Sequence, residues 1–244
     1  MVAVSFQLHD EYNLERYKGV AELRVVADFV LSRQNATSQI LLRTFYHEVA
    51  NVEDGPGWLQ RRAILRGLDT SSKQLAQHLQ ALCEYVMRTA SAEMPAPKVF
   101  AHVRGILLEL IVERQLRKRY GSRTYTNSIV ILEGVPVQCH GQNHPRTVDV
   151  AGWDHQVSDG EFVECKTSCH RLFGEDYPKL LYLEHLQKCL LNKHSAGIVV
   201  IVSMENDYDI KHRLSKRRRD NPYVPGLVGS QNVFRIGEEK IRVS

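Results

Sequence analysis

Two short apolar runs with acidic residues at matching places constrain the fold of this chain more than any other feature. Residues 147–153 contain Asp149, and residues 161–167 contain Glu164 two positions before Lys166. Glu164 and Lys166 share one face of a strand, because side chains alternate along it. The two runs predict paired strands that bring two carboxylates and one ammonium group to one edge of a sheet. This arrangement indicates a metal site, since hard divalent cations prefer carboxylate oxygens.

The length and composition of the chain predict a soluble globular protein. Its 244 residues are 43% hydrophobic, which is enough for a full core. The longest apolar run, 196–202, is far shorter than the roughly 18 residues that span a bilayer. Residues 1–8 lack the basic start of a secretory signal. We therefore expect a cytoplasmic, intracellular protein without a membrane partner.

Basic residues are concentrated in two stretches, although the net charge is only +4. Residues 98–119 hold six lysines and arginines against two acids, and residues 211–219 hold six with no acid. Such patches are typical of surfaces that bind phosphate backbones, and a solvated helix face is the alternative. In the second stretch the predicted nucleic-acid contacts are Arg213, Lys216, Arg217, Arg218 and Arg219.

The pattern of apolar residues predicts an α/β protein with three regions. Residues 1–96 are predicted to be mainly helical after a short strand at 2–8, with helices at 20–31, 36–50, 57–67 and 72–92. Residues 207–244 are predicted to be a C-terminal extension, with a basic helix followed by a hairpin near 233–236 and 240–243.

The central region, residues 97–206, has the most specific order of elements. We predict a helix at 98–120, strands at 128–132, 135–139, 147–153 and 161–167, a turn at 158–160, a helix at 178–193 and a buried strand at 196–203. This order is αβββαβ. Asp149 and Glu164 lie on the last two predicted strands before the second helix.

With Asp149 and Glu164-Cys165-Lys166 at those positions, the central region resembles the PD-(D/E)XK nuclease superfamily. The sequence Gly105-Ile106-Leu107-Leu108-Glu109, followed by Gly121 after the helix, is similar to the family's first-helix pattern. The resemblance implies a restriction-endonuclease-like αβββαβ core and the catalytic set Glu109, Asp149, Glu164 and Lys166. Val148 stands where the name of the family has proline.

The resemblance implies a reaction that depends on Mg²⁺ or Mn²⁺. Asp149, Glu164 and the backbone carbonyl of Cys165 would hold the ion, and Lys166 would lie beside the attacking water. The acid from the first helix has two candidates. The Gly105 spacing favours Glu109, whereas helical phase places Glu113 closer to the buried face.

Soft ligands give a competing interpretation of the metal chemistry. Cysteines and histidines near the strands suit zinc or an iron–sulfur cluster; they are Cys139, His140, His144, Cys165, Cys169 and His170. Buried free thiols are the other interpretation, since the five cysteines of the chain are an odd and unevenly spaced set. Gln187 is a further candidate for contact with a phosphate or water.

We expect a magnesium-dependent endo- or exodeoxyribonuclease, with DNA as the substrate. The alternative is a catalytically silent nuclease-like module that binds nucleic acid or assembles a larger complex. A homodimer is expected for a duplex substrate, because cutting both strands takes two sites, and a larger nucleoprotein complex is the other possibility.

Overall fold

The structure is a computed structural model, and it describes residues 2–9, 20–32, 36–48, 70–139, 146–230 and 232–238. The protein is mixed α/β, with a mostly helical N-terminal region and an open sheet. By its internal contacts the chain divides into two compact units, residues 13–111 and residues 1–12 with 112–244. Within the described ranges, no helix is long and apolar enough to cross a lipid bilayer.

The helical unit contains α1 (Ala21–Ser32), α2 (Ala36–Glu48), α3 (Thr70–Thr89) and the first part of α4 (Ala96–Tyr120). Apolar residues three and four apart form the buried stripe of α3, namely Leu75, Leu79, Leu82 and Val86. This stripe lies on a helix that packs against α1 and α2. The helices predicted at 20–31, 36–50 and 72–92 are confirmed within a few residues, and the one predicted at 57–67 lies outside the described residues.

The sheet unit contains seven strands among the described residues. They are β1 (Val4–Leu8), β2 (Thr124–Leu132), β3 (Val135–Pro136), β4 (Thr147–Asp154), β5 (Asp159–Lys166), β6 (Ile198–Ser203) and β7 (Gly226–Val228). The order is β1-β2-β4-β5-β6-β7, and β3 pairs with β2. Pairing is antiparallel from β1 to β5 and parallel from β5 to β7.

The turn between β4 and β5 differs from the prediction at 158–160. Trp153 pairs with Gly160 and Asp154 with Asp159, so the turn occupies residues 155–158 instead. Glycine is needed inside the strand for a steric reason. A Cβ on Gly160 would come within 2.3 Å of the carbonyl oxygen of Gly152. Gly160 therefore permits a close approach of the two strands.

The C-terminal part of α4 belongs to the sheet unit and is joined to β5 by a buried charge. The Glu161 carboxylate is fully buried, forms an ion pair with Arg119 and accepts a 3.0 Å hydrogen bond from the Tyr120 hydroxyl. A Cβ on Gly152 would lie 2.1 Å from the Tyr120 ring, so glycine is also required there. These contacts fix the C-terminal end of α4 beside the β4–β5 hairpin.

A crossover helix covers the sheet between its parallel strands. After β5 the chain makes a 3₁₀ turn at Cys169–Phe173 and enters α5 (Tyr177–Asn192), which returns it to β6. The core beneath α5 combines aromatic and leucine side chains, namely Trp153, Phe162, Tyr182, Leu183 and Leu186. The helix predicted at 178–193 and the buried strand predicted at 196–203 are confirmed within two residues.

The C-terminal extension contains α6 (Asp207–Asp220) and the strand β7, which the sequence did not predict. The predicted strand at 233–236 is wrong, because Val233–Arg235 forms a 3₁₀ turn. Gln115 of α4 explains this geometry. Its amide donates to the Val233 carbonyl at 2.6 Å and accepts from the Gly237 N–H at 2.8 Å. Residues 240–243 lie outside the described ranges.

Candidate active site

Asp149 stands where the β4–β5 ladder ends. The last backbone pair at this end is Val150 with Val163. One residue further, the Asp149 carboxylate accepts a hydrogen bond of 2.7 Å from the Cys165 N–H. A side chain thus takes the place of the next strand contact, and it fixes the carboxylate beside Glu164.

Glu164 is the most deeply buried charge of the cluster, with its side chain only 1% exposed. Two lysines from different elements neutralise it. Lys166 Nζ lies 3.2 Å from Oε1, and Lys179 Nζ lies 2.8 Å from Oε2. Lys179 also donates to the Thr147 carbonyl at 2.6 Å. The 2.8 Å contact between Lys179 and Oε2 is a close ion pair.

Lys166 forms the more open side of the cluster, since 24% of its side chain is exposed. Its ammonium lies 3.4 Å from Asp176 Oδ2, at the start of α5. Burial lowers the pKa of Lys166, but the surrounding carboxylates outweigh burial and leave the pKa above its ordinary value. Lys166 is therefore a cation at neutral pH, suited to stabilise negative charge rather than to accept a proton.

For Lys166 the surroundings favour the charged form, whereas for Asp149 they favour the neutral form. Burial, followed by repulsion from Glu164, raises its pKa to about 6. The two lysines and the Cys165 N–H oppose this shift, because they favour the ionised carboxylate. A carboxylate whose pKa is raised by burial inside a cluster of charges is typical of functional sites.

Lys179 and Asp176 are members of the cluster that the sequence did not predict. Both lie at the first turn of α5, where Asp176 is the N-cap and Pro178 follows. A signal for Lys179 was present in the sequence. A lysine in the first turn of a helix is repelled by the positive end of the helix dipole, unless an anion faces it.

The structure brings three of the four predicted catalytic residues together, Asp149, Glu164 and Lys166, with the Cys165 backbone between the last two. Glu109 is half-buried on α4 and belongs to the helical unit, so its place in the site stays a prediction. Glu113, its alternative, forms a 2.8 Å ion pair with Arg117 one turn along α4.

The donors of the cluster fit a hard divalent cation. Among the residues that the structure describes, no group of three or more cysteine, histidine, aspartate and glutamate side chains is arranged for a metal ion. Mg²⁺, however, typically keeps several waters and binds through one or two carboxylates. Asp149 and Glu164 supply two, and Oε2 of Glu164 faces the Lys179 ammonium at 2.8 Å.

The sulfur-containing alternatives and Gln187 lie in structural environments. Cys165 and Cys169 are buried thiols outside any disulfide, and burial raises the pKa of Cys169 to about 12. His140 and His144 lie outside the described residues. The Gln187 amide accepts from the Val199 N–H at 2.7 Å and donates to the Gly197 carbonyl at 3.4 Å. It therefore links α5 to the start of β6, with both polar atoms of its amide on backbone partners.

The basic run on α6 divides into engaged and exposed side chains. Arg217 makes a two-pronged ion pair with the buried Glu184, with one prong of 2.8 Å, and covers the Tyr177 ring. Arg218 donates to the Pro225 carbonyl at 3.1 Å. The other three predicted contacts, Arg213, Lys216 and Arg219, are exposed. These three are the most accessible members of the run.

Comparison with known proteins does not establish a family. No family model matches the chain, and no curated protein matches it. Among solved structures, it is similar to the crystal structure of protein VC1899 from Vibrio cholerae, with a TM-score of 0.44 and 16% sequence identity. The match covers 96% of this chain and 57% of that one, so the chain spans little more than half of its neighbour. A likeness this distant carries no functional argument.

Proposed function

We propose that this protein is a metal-dependent nuclease that hydrolyses phosphodiester bonds, with DNA as its substrate. The observation that carries the proposal is the convergence of Asp149, Glu164 and Lys166 at one end of the β4–β5 pair. The order α4, β2, β4, β5, α5, β6 supports it, because it agrees with the αβββαβ order of the PD-(D/E)XK superfamily.

The carboxylates of Asp149 and Glu164, with the Cys165 carbonyl, would hold Mg²⁺ or Mn²⁺. A bound ion of this kind polarises a phosphate and lowers the pKa of a coordinated water. Lys166 would act beside it. The Lys166 ammonium is more accessible than the Lys179 ammonium. It would therefore stabilise the negative charge that develops on the phosphate oxygens.

The charge of the cluster also suits this role. Three carboxylates, Asp149, Glu164 and Asp176, face two ammonium groups, so the cluster carries one excess negative charge when all five are ionised. The excess attracts a cation. With a divalent ion bound the sign reverses, and the site then attracts a phosphodiester.

Cleavage of a panel of labelled DNA and RNA strands, with and without Mg²⁺ or Mn²⁺, tests the proposal. Asp149→Asn, Glu164→Gln and Lys166→Met keep the shapes of the side chains and remove their charges. Each should lower the cleavage rate by at least about 100-fold. Calorimetry should show weaker metal binding in the two carboxylate variants and nearly unchanged binding in Lys166→Met.

Asp154→Asn is the matched control, because Asp154 is an acid at the opposite end of β4 and pairs with Arg123 at 2.8 Å. It should cut at the wild-type rate. Wild-type cleavage by all three cluster variants, with their folds intact by circular dichroism, would refute the site.

A silent nucleic-acid-binding module is the second candidate, and one observation favours it. Both oxygens of Glu164 already face ammonium groups, which neutralise the acid without a metal. A silent module predicts no heat of Mg²⁺ binding and no cleavage of any strand. It also predicts that DNA binding in EDTA is the same in the wild type and in Asp149→Asn.

A further inference from the structure

A pocket of about 330 Å³ lies on the segments that follow the catalytic strand. Among the residues whose side chains the structure describes, four line it, His170, Tyr208, His212 and Arg213. His170 belongs to the 3₁₀ turn after β5, and the other three lie on the first half of α6. The volume is at the lower end of the roughly 300–1,000 Å³ typical of small-ligand sites. It is therefore sized for one small unit of a ligand.

The lining chemistry is that of an anion site beside an aromatic surface. Arg213 carries a permanent positive charge, and its guanidinium lies 5.9 Å from the Phe173 ring centre, which holds it near the pocket. The two imidazoles and the phenol supply further hydrogen-bond donors. Together these groups match the oxygens of a phosphate.

Tyr208 adds a property that a simple anion site does not need. Its side chain is 81% exposed, although a large aromatic ring gains from burial. An exposed ring next to basic side chains is the arrangement on which unpaired nucleic-acid bases stack. Stacking of this kind tolerates any base, because every base has a π-face.

The pocket is within reach of the proposed cleavage site along the chain. His170 comes four positions after Lys166, the last residue of β5. Their Cα atoms are therefore at most about 14 Å apart, a distance that a single strand covers in a few nucleotides. One nucleic-acid strand can therefore contact both places.

We infer that this pocket binds one nucleotide of a single-stranded nucleic acid, a few nucleotides from the bond that is cut. Arg213 and the imidazoles bind the phosphate, and Tyr208 stacks on the unpaired base. Bases inside a duplex are already stacked on both faces, so the pocket selects single strands and strand ends that have opened. The inference deepens the proposed function and rests on it for the position of the cut.

Binding in EDTA tests the pocket without any cleavage. Fluorescence anisotropy would compare a short labelled oligothymidylate with a blunt duplex. Tyr208→Ala should weaken binding of the single strand about tenfold, and Tyr208→Phe should retain it, because the ring carries the stacking. Arg213→Gln should lower the slope of log affinity against log salt by about 0.7 on the single strand.

Arg171→Gln is the matched control, because Arg171 is an exposed arginine next to His170 and pairs with Glu175 at 3.0 Å. It should leave affinity and salt slope unchanged. An oligomer of abasic nucleotides gives an independent arm, since it keeps the phosphates and lacks the bases. It should bind wild type and Tyr208→Ala equally.

Three results would overturn the pocket: no binding of the single strand by wild type, wild-type binding by both Tyr208→Ala and Arg213→Gln, or equal weakening on single strand and duplex. Cleavage is measured separately. Loss of base-dependent binding with cleavage intact overturns the pocket and leaves the nuclease proposal standing. Base-dependent binding without any metal-dependent cleavage supports the pocket as a binding site and removes the nuclease proposal.

Discussion

At the scale of single residues, the charge on Glu164 depends on two lysines that come from different elements. Lys166 lies on the same strand, whereas Lys179 comes from α5 and lies 2.8 Å from Oε2. A buried carboxylate that loses a countercharge is costly, because desolvation is no longer compensated. Lys179 is thus expected to be a positioning residue for Glu164 as well as a stabilising one.

Lys179→Met should lower the free energy of unfolding by about 3 kcal/mol in metal-free buffer. Adding Glu164→Gln to this variant should restore most of the loss, since a neutral amide needs no countercharge. Urea unfolding measures both changes. Lys193→Met is the control, because Lys193 pairs with Glu133 at 3.0 Å on the surface, where an ion pair contributes little. Equal effects of the two lysine substitutions would contradict the prediction.

Comparing two substitutions on α4 decides whether Glu109 or Glu113 contributes to the candidate site. If Glu109 orients the metal or its waters, Glu109→Gln should lower the cleavage rate about 10- to 100-fold. Glu113→Gln should affect stability slightly, because Glu113 forms an ion pair with Arg117. Single-turnover rates measure the difference. The reverse result would assign the role to Glu113.

The sequence could predict Asp149, Glu164 and Lys166 because their signals are local. Strand alternation and the spacing of two acids are visible within about twenty residues of sequence. Lys179 was not predicted, since its contact depends on where the crossover helix begins above the sheet. Its place in the first turn of a helix indicates that an anion faces it, but not which anion.

At the scale of elements, α6 shows why a charge run is a poor guide to the role of each residue. The four consecutive basic residues at 216–219 point to different sides of the helix, because successive residues are rotated by about 100°. One of them therefore faces α5 while others face solvent. Which arginine faces α5 is set by the position of the buried Glu184. Sequence alone gives the charge of the helix and not its rotation.

Arg217→Gln and Arg219→Gln should therefore have different effects. Arg217→Gln should lower the stability by about 2–3 kcal/mol, because Glu184 stays buried without its main partner. Arg219→Gln should leave the melting temperature unchanged and lower the salt slope of DNA binding by about 0.9 for one lost contact with duplex phosphate. Thermal melts and binding at several salt concentrations test both. A lower slope without a lower melting temperature in Arg217→Gln would contradict this assignment.

The β4–β5 hairpin shows a second limit of sequence analysis at this scale. Gly160 next to Ser158 and Asp159 is typical of a turn, yet it lies inside β5. A side chain at this position would collide with the Gly152 carbonyl on the paired strand. No local sequence pattern encodes that contact. The strands themselves were predicted within two residues, because apolar alternation does not depend on such contacts.

At the scale of the whole molecule, β1 belongs to the sheet unit although residues 13–111 form the helical unit between it and β2. Val4 of β1 is buried in the core of the sheet, and its neighbour Ser5 is exposed. A short strand at 2–8 was predicted from sequence. Its partner was not, because pairing across such a distance leaves no local signal.

Val4→Ala should lower the stability of the sheet unit by about 2 kcal/mol, through lost burial and the cavity that it leaves. Ser5→Ala should have little effect. Hydrogen–deuterium exchange with mass spectrometry should show faster exchange in residues 124–132 and unchanged exchange in residues 75–86, which belong to the helical unit. Faster exchange confined to the helical unit would contradict the division into units.

The pairing of β1 with β2 also determines when the sheet can form during synthesis on the ribosome. Val4 pairs with Leu132, so more than 120 residues are synthesised between the two. At about 5–20 residues per second, β1 waits roughly 6–25 seconds for its partner. The helical unit relies on nearby contacts and can fold during this wait. Asp149 and Glu164 are translated later still, so the candidate site is completed after the rest of the protein has begun to fold.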